Sequence, residues 1–353
     1  MQDKKTNRFA AILLPPKLST QGGFGVKPSE NTRVTSNSQR VIHCVSVSGG
    51  KDSTATMLIA IERFGKEKCR FVFADTGNEH EAVYEYLIYL EAELGIVIDR
   101  LKASFAPEIA AKRMFIAKDA RKGRKNGKRL RWSNKSKRRA LAALQPTGNP
   151  YLDLCMWKGR FPSRKAQFCT SELKTAPLIE YQLELIDAGH IVVSWQGIRR
   201  DESANRRDAK RFEKLNPGLY AMRPIVEWTG RQTVDFVLSR GLAVNPLYSQ
   251  GMSRVGCMPC INANKAELRQ IGVRFPAHIE RISQWELIVS NASKRGATTF
   301  MVAPGITTRE ADSNGIFSVI EWAKTTRGGR QKDLLSEIPS PGCLSSYGLC
   351  DAN

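Results

Sequence analysis

Residues 45–58, VSVSGGKDSTATML, join a β-branched run to a helical pattern through Ser48, Gly49, Gly50, Lys51, Asp52 and Ser53. A strand that ends in Ser-Gly-Gly and opens directly into a helix aims backbone N–H groups and the positive end of the helix dipole at one point. That arrangement is an anion site. The glycines let a ligand approach the backbone closely, Lys51 adds a point charge, and Ser48 and Ser53 offer hydroxyls to phosphate oxygens. The nucleotide loop G-x-x-x-x-G-K-[ST] does not fit, because Val45 stands where its first glycine belongs and Asp52 follows the lysine. G-x-G-x-x-G does not fit either. The alternative for six such residues alone is a tight turn without a ligand.

In its place after the first predicted strand and before the first helix, the run resembles the S-G-G-x-D-S PP-loop of the ATP pyrophosphatase superfamily. The resemblance implies a loop that grips the pyrophosphate of ATP, or the matching phosphate or sulfate of a sulfonucleotide. Lys51, Asp52 and Ser53 would then be the catalytic group, with Asp52 helping to place Mg2+. Members that use ATP transfer AMP to a substrate oxygen and release pyrophosphate, by positioning and charge neutralisation more than by covalent chemistry.

Four further stretches, in order, resemble the phosphoadenosine phosphosulfate (PAPS) reductase branch of that superfamily. FADTGNE ends the second predicted strand and resembles the nucleotide-contacting turn, which implies roles for Asp75, Thr76 and Gly77. The carboxyl end of a parallel strand is where open α/β sheets bind ligands, although Asp75 could equally cap the next helix. FPSRKAQFCTSELKTAPL resembles the family's cysteine-bearing segment. GIRRDESANRR resembles its arginine motif, so Arg199, Arg200, Ser203 and Arg207 are expected at the phosphate or sulfate, the arginines as a fork. A surface salt-bridge cluster is the other reading of that run. RVGCMPCINA supplies a C-x-x-C. The resemblance spans roughly residues 41–105 and 150–270.

Eight cysteines in a chain of 353 residues, with no convincing secretory leader in FAAILLPP, argue against a disulfide scaffold. Cys257 and Cys260 form half of a tetrahedral site for zinc or an iron–sulfur cluster, or a redox dithiol. Cys169 lies in the segment that supplies cluster cysteines in the iron–sulfur reductases, but those have adjacent cysteines and here the neighbour is Phe168. Cys155 is taken as the fourth member. The expected set is therefore Cys155, Cys169, Cys257 and Cys260, holding a 4Fe–4S cluster, with Zn2+ as the alternative. Cys44 and Cys69 sit in predicted buried strands and read as core. Cys343 and Cys350 lie in a Gly/Ser-rich tail without the Glu-Cys-Gly context a sulfonucleotide reductase needs.

The elements that must position these groups alternate. RVIHCVSVS, CRFVFADTG, GIVIDRLKA and HIVVSWQGI read as buried strands, with helices after Gly50, over 79–94 and over about 173–187. That alternation predicts an α/β, Rossmann-like doubly wound and mainly parallel sheet. Residues 1–40 are expected to form a flexible arm, 41–215 the nucleotide-binding domain, and 216–353 a cysteine-bearing, mostly helical region. Residues 112–139 interrupt the α/β pattern with fourteen Lys or Arg against the single acid Asp119. This run is expected to be an exposed insertion, since no core can be built from it.

The whole chain carries a formal net charge of +21, which points to a polyanion partner. No apolar run is long enough to span a membrane, so a cytoplasmic enzyme is expected. Its partners would be an adenine nucleotide (ATP, or PAPS or adenosine phosphosulfate, with Mg2+) and nucleic acid, DNA or tRNA, held by 112–139. A sulfur donor such as a cysteine desulfurase or thioredoxin would complete the set. The expected reaction is adenylation for sulfur incorporation into nucleic acid, as in DNA phosphorothioation or tRNA thiolation. Reduction of PAPS or adenosine phosphosulfate to sulfite is the alternative. A non-catalytic nucleic-acid-binding protein is a third reading, and the intact loop weighs against it.

Overall fold

The β-branched run after Arg40 forms β1 (Val41–Val47), and the Gly-Gly pair turns it into α1 (Lys51–Phe64). The computed structural model describes residues 40–305 and 307–326, together with 345, 347 and 349. The alternation then repeats through β2 (Cys69–Asp75), α2 (Glu81–Leu94) and β3 (Ile98–Lys102). His80 caps α2 by accepting the Ala82 N–H, and left-handed Gly95 ends it.

The basic stretch follows as α3 (Ala106–Ala117), the two-residue strands β4 (Arg124–Lys125) and β5 (Lys128–Arg129), and α4 (Asn134–Ala143). After α5 (Pro150–Lys158), α6 (Phe168–Thr170) runs through a π-helical turn (Ser171–Thr175) into α7 (Ala176–Asp187). Then come β6 (Ile191–Trp195), β7 (Phe212–Asn216) and β8 (Leu219–Met222). Four helices follow: α8 (Gly230–Ser239), α9 (Lys265–Arg274), α10 (Pro276–Ala292) and α11 (Thr308–Ala323).

The main sheet has the order β3-β2-β1-β6-β8-β7 and is parallel except for β7. Its two faces follow from the period of two along each strand. Cys44, Val72, Val192 and Leu219 pack against Leu178, Tyr181 and Leu185 of α7 on one face. Val45, Val47, Phe71 and Phe73 join the larger core with α1 and α2 on the other. Cys44 and Cys69 are buried, as their place in the strands predicts. The sheet continues past residue 215: that position falls inside β7, and β8 beyond it pairs with β6.

The insertion differs from the fully exposed segment read from its charge. Ile116, Trp132 and Ala140 are buried, with Trp132 only 7% exposed, and α4 packs against α10. The buried Asp119 carboxylate accepts the Trp132 N–H at 2.8 Å and the Arg121 Nε–H at 2.8 Å. A few apolar anchors spaced among the cations were enough to dock it. Among the described residues, no helix is long and apolar enough to cross a membrane.

Candidate phosphate cleft and cysteine set

The parallel strands β1, β2 and β6 deliver their carboxyl ends to one edge of the sheet, where the loops beginning at Ser48, Thr76 and Gln196 meet. A cleft of about 500 Å³ opens there. Ser48, Gly50, Lys51, Asp52 and Ser53 form its floor. Gly49 has φ +71°, and a Cβ on it would lie 2.9 Å from Val83 Cγ1, so α2 packs against the loop only because the side chain is missing. Ser53 Oγ accepts the Ser48 N–H at 3.0 Å and donates to the Gly50 carbonyl at 2.9 Å. These bonds hold the loop in shape before any ligand arrives.

Lys51 is 4% exposed. Its N–H donates to the Tyr248 hydroxyl at 3.0 Å, and its ammonium lies 5.1 Å and 4.4 Å from the ring centroids of Tyr248 and Tyr347. Asp52 is held by two cations: Oδ2 is 3.3 Å from Lys51 Nζ, and Oδ1 accepts from Arg199 Nε at 2.7 Å. Each carboxylate oxygen thus meets one cation and keeps a further lone pair with which it could meet a metal. Gly197 allows the β6 loop to reach this point, since a Cβ there would come within 2.8 Å of the Asp52 backbone.

The arginine motif is placed in a different phase from the one read in the sequence. Arg199 and Arg206 line the cleft, joined by Arg254. Arg200 turns outward, donating to the Ala209 carbonyl and approaching Glu227, while Arg207 and Ser203 are exposed and outside the cleft lining. The short 3-10 turns over 200–206 set this phase. In the second-strand turn, Asp75 Oδ1 accepts from the Gly77 N–H at 2.9 Å and the Tyr84 hydroxyl at 2.8 Å. Asp75, Thr76 and Gly77 thus shape the turn, and Glu79 is its residue in the cleft wall. Lys51, Lys174, Arg199, Arg206 and Arg254 face the cleft against Asp52, Glu79 and Glu202. The balance favours an anionic ligand with several phosphate or sulfate oxygens.

The cleft wall continues into the cysteines. Thr76 donates to Glu79 at 2.8 Å, and Glu79 Oε1 lies 3.6 Å from Cys257 Sγ. The Lys174 ammonium is held charged first by Cys257, then by Glu79, Cys260 and Cys169, which raise its pKa against the cost of burial. Burial pushes the Cys257 thiol up to about 12, with Lys174 pulling the other way. Burial also raises Cys155 and Cys169. Tyr151 is buried, 2% exposed. Burial raises its pKa, and the charges of Cys155, Cys169, Cys257 and Cys260 raise it further.

The four expected cysteines are carried by α5, α6 and the 257–260 loop, and all four act electrostatically on the Tyr151 hydroxyl. Among the described residues that hydroxyl has no hydrogen-bond partner. A buried polar group is expected to be satisfied, and an orphan hydroxyl within the field of these thiols fits a site that receives a further polar group. Among the described residues, no three of these sulfurs converge to within 4.8 Å. One tetrahedral zinc brings its sulfurs to roughly 3.8 Å from one another, given a Zn–S bond of about 2.3 Å.

Sequence reading missed Tyr248, Lys174, Glu79, Gly197, Arg206 and Arg254. Lys174, Glu79, Gly197 and Arg206 lie inside the motif stretches and Arg254 begins the C-x-x-C run, so their neighbourhood was marked. Tyr248 carried no local signal. Cys343 and Cys350 lie outside the described residues, as does the arm up to residue 39.

Residues 42–263 match the family model described as phosphoadenosine phosphosulfate reductase domain. An uncharacterized 37.8 kDa protein of Escherichia phage 186 is 43% identical over 329 residues, covering 89% of this chain and 98% of that one. The adenosine 5'-phosphosulfate reductase of Rhizobium meliloti is 34% identical over 91 residues, 25% of this chain and 30% of the reductase. A structure of phosphoadenylyl-sulfate reductase from Candida auris, in a phosphate complex, aligns over 64% of this chain and 84% of that one, with a TM-score of 0.37 and 13% identity.

Proposed function

Because the chain belongs to the phosphoadenosine phosphosulfate reductase domain family, we propose that it is a PP-loop enzyme that uses ATP to adenylate nucleic acid for sulfur incorporation. The observation that carries this reading is a shared wall. Lys174 and Glu79 line the phosphate cleft and also face Cys257, so nucleotide chemistry and sulfur chemistry meet at one place.

In this reading the PP-loop N–H groups and Lys51 hold the β- and γ-phosphates, and Arg199, Arg206 and Arg254 neutralise charge around the α-phosphate. A nucleic-acid oxygen bonds to the α-phosphorus, the α–β anhydride bond breaks, and pyrophosphate leaves. The activated oxygen later departs with AMP when a sulfur nucleophile takes its position. Asp52 keeps Lys51 and Arg199 aligned on the phosphates. Mg2+ would enter with the nucleotide, where Asp52 could help to hold it and the ion would supply charge neutralisation on the phosphates.

Cys155, Cys169, Cys257 and Cys260 would hold a 4Fe–4S cluster, with Tyr151 donating to it. Such a group would supply one-electron chemistry beside the cleft, and an open iron position for carrying sulfur would arise only if Cys155 were not a ligand. Lys174 would offset its negative charge.

A second reading, reduction of PAPS or adenosine phosphosulfate to sulfite, is favoured by one observation. Tyr347 lines the cleft and stands between Cys343 and Cys350 in sequence. Anaerobic purification followed by parallel assays with ATP and with PAPS separates the two. The proposal expects iron and acid-labile sulfide in the protein, lost in Cys257→Ser, and pyrophosphate from ATP with nucleic acid. Sulfite from PAPS with thioredoxin, and no pyrophosphate, would establish the reductase instead.

A further inference from the structure

The basic insertion and a turn far from it in sequence build one surface. Arg121, Arg124, Lys128 and Arg131 line a groove of about 860 Å³ with Lys294 and Arg295 from the turn after α10. An adjoining hollow of about 560 Å³ shares Trp132, Lys294 and Arg295 and adds Lys112, Lys158 and Arg160. Among the described residues, no Asp or Glu lines either one.

The two parts are fastened together. Lys294 Nζ donates to the Leu130 carbonyl at 2.8 Å and also to that of Arg129, and Arg139 donates to the Ser293 carbonyl at 2.8 Å. Not every cation here is available to a partner. Arg113 donates to the Leu141 and Leu144 carbonyls, Lys137 to Asp119, Arg121 pairs with Asp119, and Arg295 pairs with Asp312. Arg124, Lys128 and Arg131 have no ion pair among the described residues. Gathering like charges on a rigid platform costs self-repulsion, and a polyanion lying in the groove removes that cost.

The aromatic residues decide which form of polyanion fits. Single-strand binders stack bases on exposed aromatic faces. Here Trp132 is buried. Trp157 stacks on Phe105 with ring centroids 5.7 Å apart and carries the Lys158 ammonium 3.5 Å from its own centroid. The groove therefore offers cations and no free platform for bases.

Resting on the reading that the substrate is nucleic acid, we infer that this composite groove seats the sugar–phosphate backbone of a nucleic-acid duplex, read by charge and shape rather than by base stacking. Binding is driven in part by the release of condensed counterions from the phosphates that the cations neutralise.

The test is fluorescence anisotropy of the full chain with a 20-base-pair DNA duplex, the matching RNA duplex and the single strands, across a salt series. The duplexes are expected to bind more tightly than the single strands, their relative affinity separating DNA from RNA. Arg124→Ala/Lys128→Ala/Arg131→Ala is expected to weaken duplex binding at least tenfold and to flatten the log K against log salt slope by roughly 2.7, from about 0.9 per lost phosphate contact. Arg124→Lys/Arg131→Lys keeps the slope, and Trp157→Ala leaves affinity unchanged. Equal affinity and slope in the triple variant would overturn the inference. So would tighter single-strand binding that Trp157→Ala abolishes, or binding to anionic lipid vesicles with none to duplex. Pyrophosphate release measured in parallel keeps the two proposals apart. Duplex binding without release removes adenylation and leaves the groove, whereas nucleic-acid-stimulated release that the triple variant keeps removes the groove alone.

Discussion

At the scale of single residues, the site turns on which arginine holds Asp52. Arg199 is 6% exposed and donates to Asp52 at 2.7 Å, while Arg200 and Arg207 point away from the cleft. Arg199→Ala is expected to weaken ATP binding roughly 10- to 100-fold, the usual loss for a hydrogen bond to a charged group. Arg200→Ala and Arg207→Ala are expected to stay within about twofold by the same rule, since neither touches the cleft. Isothermal titration of the three variants checks this, and an equal loss in all three would restore the fork read from sequence. The motif was legible as residue types, because Gly, Lys, Asp and Arg in that order already describe an anion site. Its phase was not, because two short 3-10 turns decide which arginines turn inward. Tyr248, 197 positions from Lys51, was invisible for a different reason: its role is a contact across the fold.

At the scale of elements, the cleft depends on how closely the loop after β6 approaches the first turn of α1. Gly197 makes that approach possible. Gly197→Ala puts a Cβ against the Asp52 backbone and is expected to cost about 1–3 kcal/mol, as overpacking does. It should lower the melting temperature and abolish nucleotide binding together. Thermal denaturation with and without ATP measures both, and normal ATP-induced stabilisation of the variant would show that the contact does not matter. The parallel sheet itself was legible from continuous apolar runs separated by helical patterns, since strands buried on both faces leave that trace. The insertion was not. Its cations hid Ile116, Trp132 and Ala140, which dock it against the rest of the chain.

At the scale of the whole molecule, three features occupy one chain: a phosphate cleft, a cysteine set sharing its wall, and a basic groove. The net charge of +21 announced the last without locating it, because the turn at 294–295 joins the insertion only in the folded protein. The cysteines were legible as a proposed ligand set, whereas Tyr151 becomes informative only once its hydroxyl is seen to lack a partner among the described residues. The proposed chemistry requires the loop at residues 48–53 to break the α–β bond of ATP. The direct measurement is pyrophosphate released from ATP, with AMP joined to the nucleic acid, by the anaerobically purified protein with duplex nucleic acid, beside Lys51→Ala. Stoichiometric release by the native chain, reduced by roughly 100-fold or more in Lys51→Ala as for loss of a key charge-stabilising donor, is the predicted result. Release that Lys51→Ala leaves intact, or no release under any of these conditions, would contradict it.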